Sequence, residues 1–124
     1  MGKIRAKVVK VTTTGGAGSA TGNADSEPFV GEIIGVYLNF HASAPATTDI
    51  TITDKHSGVE IASEDNAVAD KYIAPVIFGE SNAGAGLTGD VTPQRYAVGQ
   101  GVNVAVSGAD ALTNALVATV LYRS

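Results

Sequence analysis

The run Gly15-Gly16-Ala17-Gly18-Ser19-Ala20-Thr21-Gly22 carries the residue type that lets backbone amides approach a phosphate. That chemistry needs a helix N-terminus directly after the glycines, so that N–H groups and the helix dipole face the anion. Here the chain continues Asn23-Ala24-Asp25-Ser26-Glu27-Pro28, with no Gly-Lys-Ser/Thr, no helical period and two carboxylates that would repel a phosphate. The run therefore reads as a loop. The two histidines, His41 and His56, are the next candidates. A catalytic imidazole needs a nucleophile and an orienting carboxylate, and a zinc site needs about three convergent ligands. Asp54 lies near His56, but an aspartate at a turn bonds the backbone around it. His41 falls on the polar side of a strand pattern, so both read as surface or interface side chains. Glu60, Glu64, Asp65 and Asp70, with Asn66 among them, offer oxygens to a hard cation but lack EF-hand spacing, and read as a solvated loop. Paired carboxylates can hydrolyse glycosides; enzymes of that kind carry aromatic sugar platforms, whereas this chain has no Trp and four Tyr. No catalytic, cofactor or metal residue is expected, and the chain is read as non-enzymatic.

Composition narrows the classes that remain. With 124 residues the chain has the length of one domain, able to bury a core without staples. It has no cysteine, so disulfides and thiolate metal sites are out. No apolar run matches a signal h-region or a membrane span, and the chain reads as soluble and not exported by a cleaved signal. Twelve carboxylates outnumber eight bases, the reverse of a nucleic-acid binder. Half of those bases, Lys3, Arg5, Lys7 and Lys10, fall in the first ten positions. They read as a solvated strand face or as a contact with an acidic partner. Charged residues make up only 16% of the chain, as expected where much of the surface is buried against other subunits and as is also common in plain β-rich proteins.

Period-two patterns dominate. Strands are expected over residues 3–14, within 29–41, and over 49–54, 59–63, 102–106 and 115–122, with short extended segments at 72–78 and 94–98. In the first, Ile4, Ala6 and Val8 share one face and Lys3, Arg5 and Lys7 the other. Val9 and Val11 break the phase, which a bulge near Val8-Val9 would explain. In the second, Ile34, Val36, Leu38 and Phe40 face the core, with Tyr37, Asn39 and His41 opposite. Lys55-His56-Ser57-Gly58 reads as a hairpin loop with Gly58 at positive φ. The last strand is apolar on both faces, which places it centrally or at a subunit interface. Residues 107–114 read as a loop holding at most one helical turn. Two glycine-rich connections, at about 15–26 and 79–93, are longer than compact domains usually carry and read as loops that are either disordered or ordered by a partner. No internal repeat is present. The fold expected is one all-β domain over residues 1–124, an antiparallel β-sandwich, jelly roll first and Ig-like Greek key second.

The stretch Gly31-Glu32-Ile33-Ile34-Gly35-Val36-Tyr37-Leu38-Asn39-Phe40-His41-Ala42-Ser43-Ala44-Pro45-Ala46-Thr47-Thr48-Asp49-Ile50-Thr51-Ile52 resembles small structural proteins of tailed bacteriophages. So do the later Tyr72-Ile73-Ala74-Pro75 and the terminal Tyr122-Arg123. The likeness is one of strands and turns over residues 30–124, without a chemical signature. It implies a jelly-roll head-decoration or cement protein, made in the host cytoplasm, that binds the major capsid protein on the capsid exterior. By analogy with decoration proteins at capsid three-fold positions it implies a homo-oligomer, trimer before dimer. No cofactor, nucleic acid or membrane enters that picture. Lys3, Arg5 and Lys7 are the expected contacts to an acidic capsid surface. Tyr37, His41 and, unless the core takes it, Tyr122 are expected at interfaces. The other readings are a carbohydrate- or receptor-binding module of tail-fibre or adhesin type, and another neck or tail component.

Overall fold

The computed structural model describes residues 2–67, 69–77 and 94–124. Eleven strands are present among them: β1 (Ile4–Val11), β2 (Ala20–Asp25), β3 (Gly31–Phe40), β4 (Asp49–Asp54), β5 (Glu60–Glu64), β6 (Lys71–Ile73), β7 (Val76–Ile77), β8 (Gln94–Arg95), β9 (Ala97–Val98), β10 (Val102–Ala109) and β11 (Leu116–Arg123). One sheet runs β1-β11-β3-β6, with β9 also on β3; the other runs β2-β10-β4-β5, and β7 pairs with β8 alone. All pairings are antiparallel. The described residues are all-β, and the two main sheets form the antiparallel sandwich that the alternation predicts.

The core is the inner row of each strand. Ile33, Val36, Leu38 and Phe40 of β3 meet Leu116, Ala118, Val120 and Tyr122 of β11, while Ile50, Ile52, Val102, Val104 and Val106 line the opposite sheet. β-Branched residues dominate because they fit a pleated, one-sided surface with few lost rotamers. The buried hydroxyls are bonded: Ser26 Oγ accepts from Val102 N–H at 3.1 Å, Thr13 Oγ1 accepts from Leu112 N–H at 3.1 Å, and Thr48 Oγ1 donates to Pro45 O at 2.7 Å.

Several expectations are corrected. Residues 15–26 are not one loop: Ala20–Asp25 is strand β2, edge of the second sheet, paired with β10 through Ala24↔Val104 and Gly22↔Val106. The segment from Thr12 to Ser19 joins β1 to it, turning within the Thr14↔Thr21 bridge with Gly18 at φ 73°. The expected loop at 79–93 lies outside the described residues. β1 carries no bulge; it pairs with β11 without a break from Ile4↔Arg123 to Val11↔Leu116. Its core face is the Arg5, Lys7, Val9, Val11 row, of which Val9 and Val11 are buried. Ile4, Ala6 and Val8 face solvent. The change of phase reflects an edge strand whose first half extends past the core, where Lys7 reaches Glu27 on the crossing from β2 to β3. In β3 the bulge residue is Ile34, so Ile33 takes the core position expected of Ile34. Residues 107–114 contain no helical turn, because β10 continues through a bulge to Ala109, with Gly108 at φ 62°. Gly58, at φ 76°, sits at the hairpin where expected.

Candidate interaction surface

The outer face of the five-stranded sheet is built by register. Cross-strand partners share a face, so three pairings give four rows. One row reads Ile4, Arg123, Glu32; the next Ala6, Leu121, Gly35; the third Val8, Thr119, Tyr37, Tyr72; the last Lys10, Val117, Asn39. The two central rows hold no charge. Charge collects at the ends, with Lys10 at one and Glu32 within 4.0 Å of both Arg95 Nε and Arg123 Nη1 at the other. Arg95 Nη1 also donates to Ile34 O at 2.9 Å, which ties the β3 bulge to β8.

Large apolar side chains remain in water on this face. Ile4 is 61% exposed, Val8 55%, Tyr37 42% and Tyr72 50%. Tyr37 and Tyr72 stand directly opposite each other on β3 and β6. The Tyr72 ring lies over Gly35, where a Cβ would meet its hydroxyl and ring carbons. The missing side chain at Gly35 is therefore what lets the tyrosine lie flat along the sheet beside Leu121. A contiguous apolar patch with charged ends is the pattern of a surface that another protein covers.

The expected contact residues fall in different places. Tyr37 is at the centre of this face. Lys3, Arg5 and Lys7 lie at the neighbouring edge. Lys7 Nζ is 3.2 Å from Glu27 Oε2, and Arg5 Nε donates to Ser124 Oγ at 3.3 Å. Among the described residues no carboxylate pairs with Lys3, Arg5 or Lys10. His41 lies just past β3, half-buried, and its Nδ1 accepts from Ser43 N–H at 3.0 Å, so it stabilises its own turn. Tyr122 is in the core, stacked on Phe29 with centroids 4.2 Å apart.

The acidic groups with partners are held separately. Asp54 Oδ1 accepts from His56 N–H at 3.1 Å, the turn role expected of it. Glu64 pairs with Lys71 at 2.7 Å, and Asp70 Oδ1 accepts from Phe40 N–H at 2.9 Å. Asn66, at φ 53°, is fixed by Asp49. Among the described residues no three His, Asp or Glu side chains converge on a point that could hold a metal ion.

Reading the sequence alone missed Tyr72, Ile4, Ala6 and Val8 as a surface. The two-residue alternation was visible; which side faced the core depended on the strand's place at an edge. Compared with known proteins, the chain matches no family model, no curated protein and no solved structure.

Proposed function

We propose that this chain is a non-enzymatic structural protein that works by assembling through its surfaces. The observation that carries this reading is the uncharged centre of the outer face of the five-stranded sheet, with Val8, Tyr37 and Tyr72 open to water around a half-buried Leu121, beside a basic edge strand. Covering apolar area drives association at roughly 25 cal/mol per Å² removed from water, less the cost of ordering the partners. Aromatic side chains at the centre of such a patch bind with little loss of rotamer freedom.

In its specific form, the proposal is a capsid decoration or cement protein of a tailed bacteriophage. The resemblance of residues 30–124 supports it, as does a charge-poor surface. Subunits associate through the apolar face into a homo-oligomer, a trimer before a dimer, and present Lys3, Arg5 and Lys7 to the major capsid protein on the capsid exterior. Many modest contacts then act together on a repeating shell. Jelly-roll connectivity, rather than an Ig-like Greek key, belongs to the same proposal.

Co-sedimentation with undecorated tailed-phage capsids in a salt series tests it. The protein is expected to pellet with capsids, less so as salt rises, because exposed charge pairs are screened over about 10 Å at 0.1 M. Protein that stays in the supernatant at low salt, with capsids of several types, would contradict the capsid assignment. The Tyr37–Tyr72 pair also favours a second reading, a carbohydrate-binding module that stacks a sugar on its rings. Binding on a glycan array that Tyr72→Ala abolishes would select that reading instead.

A further inference from the structure

Among the described residues no strand pairs with the outer edge of β1, and the ladder phase says which groups it offers. Ser124 N–H donates to Lys3 O at 3.2 Å, so Lys3 and Ser124 form a hydrogen-bonded pair at the end of the β1–β11 ladder. In an antiparallel ladder such pairs alternate. Arg5, Lys7, Val9 and Val11 therefore bond to β11, and the N–H and C=O groups of Ile4, Ala6, Val8 and Lys10 point away from it. The ladder of β3 obeys the same parity: His41 N–H donates to Ala115 O, whereas Phe40 N–H points the other way, to Asp70. Among the described residues those outward groups of β1 have no hydrogen-bond partner. The second sheet comes close to β1, and the one backbone bridge to it in this region among the described residues, Thr14↔Thr21, lies beyond the strand.

A bare edge invites another strand, and natural edges are blunted with Lys, Pro or bulges. β1 has no proline and no bulge. Its bases disfavour many pairings with a second copy of the same edge but not all, since a two-fold on Val8 sets Lys7 against Val9 and opposes no like charges. The disfavoured even-with-even pairings include those with a two-fold on Arg5, Ala6 or Lys7. These registers set Arg5 against the second copy's Arg5, Arg5 against its Lys7, or Lys7 against its Lys7. Like charges directly opposite destabilise a sheet. Repulsion of copies does not account for the other row, in which Ile4 and Val8 stand more than half exposed. A solvated edge gains nothing from β-branched apolar side chains in water. A strand laid along β1 would cover them on one face and meet Lys3 and Arg5, which lack carboxylate partners, on the other.

We propose that the outward edge of β1 is a strand-acceptor site for an extended segment of another protein in which apolar and acidic residues alternate. Its main chain bonds Ile4, Ala6, Val8 and Lys10, its apolar residues extend the row to Leu121 and Thr119, and its carboxylates face Lys3 and Arg5. This is β-strand addition, with affinity from the backbone and specificity from alternate side chains. The site does not depend on the capsid reading, since it requires only a segment of this chemistry.

The test uses the intact ¹⁵N-labelled protein and a capped Glu-Val-Glu-Val-Glu-Val-Glu peptide, followed by amide shifts and amide exchange. The expected result is saturable shifts centred on Ile4 to Lys10, with exchange at Ile4, Ala6, Val8 and Lys10 slowed at least tenfold at saturation. A peptide N-methylated at alternate residues should bind at least tenfold more weakly, and one with Lys for Glu should not bind. Ala6→Pro should abolish binding, since Ala6 N–H serves no bond to β11 and proline is accepted at a strand edge. The N-methylated peptide carries the same test should that variant not fold. No shift along β1, equal binding of the N-methylated peptide, or equal binding of the lysine peptide would each overturn the proposal.

Discussion

Two glycines separate what the fold needs from what the surface needs. Gly108 has φ 62°, and a Cβ there would press on the carbonyl oxygen of Thr47. The atom in the way is backbone, and Thr47 Oγ1 donates to Gly108 O at 2.7 Å, so the two residues are held against each other. An alanine would pay a left-handed penalty of about 1–2 kcal/mol and an overpacking cost of about 1–3 kcal/mol. Gly108→Ala is expected to lower stability by about 2 kcal/mol or more in urea unfolding. Gly35 has no positive φ, and the group in its way is the Tyr72 ring on an exposed short strand. Gly35→Ala is expected to cost less than about 1 kcal/mol, within the range of substitutions where a side chain can move aside. It should swing Tyr72 off the sheet, which the ring resonances of Tyr72 would report. Equal losses at the two positions would mean that Tyr72 is fixed by more than its lie over Gly35.

At the scale of the strand, β1 gives the sharpest test of the inverted face. Val9 is buried and Val8 is not, although both are valine in an alternating run. Val9→Ser should cost about 2 kcal/mol or more, from lost burial and a hydroxyl put into the core, whereas Val8→Ser should stay within about 0.5 kcal/mol. Urea midpoints of the two variants check this, and the reverse order would restore the face that alternation alone suggests. The strands whose place and core residues are largely legible in the sequence are β3, β4, β5, β10 and β11. β2 was not legible, because Ala20, Gly22 and Ala24 are small and Thr21, Asn23 and Asp25 polar. It is a strand because β10 lends it a ladder. β1 was legible as a strand and misread as to face, since an edge strand need not bury its most apolar row. The candidate surface was legible at Tyr37 alone. Tyr72 joins it through a pairing between residues far apart in sequence, and no local pattern encodes which strand lies next to β3.

Across the whole molecule, few charges and a bare apolar face point to one account, in which the chain is finished by association. A monomer that kept Ile4, Val8, Tyr37 and Tyr72 in water would carry an aggregation hazard without return. The N-terminal edge and the outer face adjoin through Val8, so one partner strand on β1 and one subunit on the face can be bound together. The most direct measurement is the solution mass by light scattering over a concentration series, for the native chain and for Tyr37→Glu. The account predicts a mass that is a multiple of 12.5 kDa, three-fold in its preferred form, and a fall to the single-chain mass in Tyr37→Glu with its β circular dichroism retained. A native mass of 12.5 kDa at every concentration, or an oligomer that Tyr37→Glu leaves intact, would contradict it.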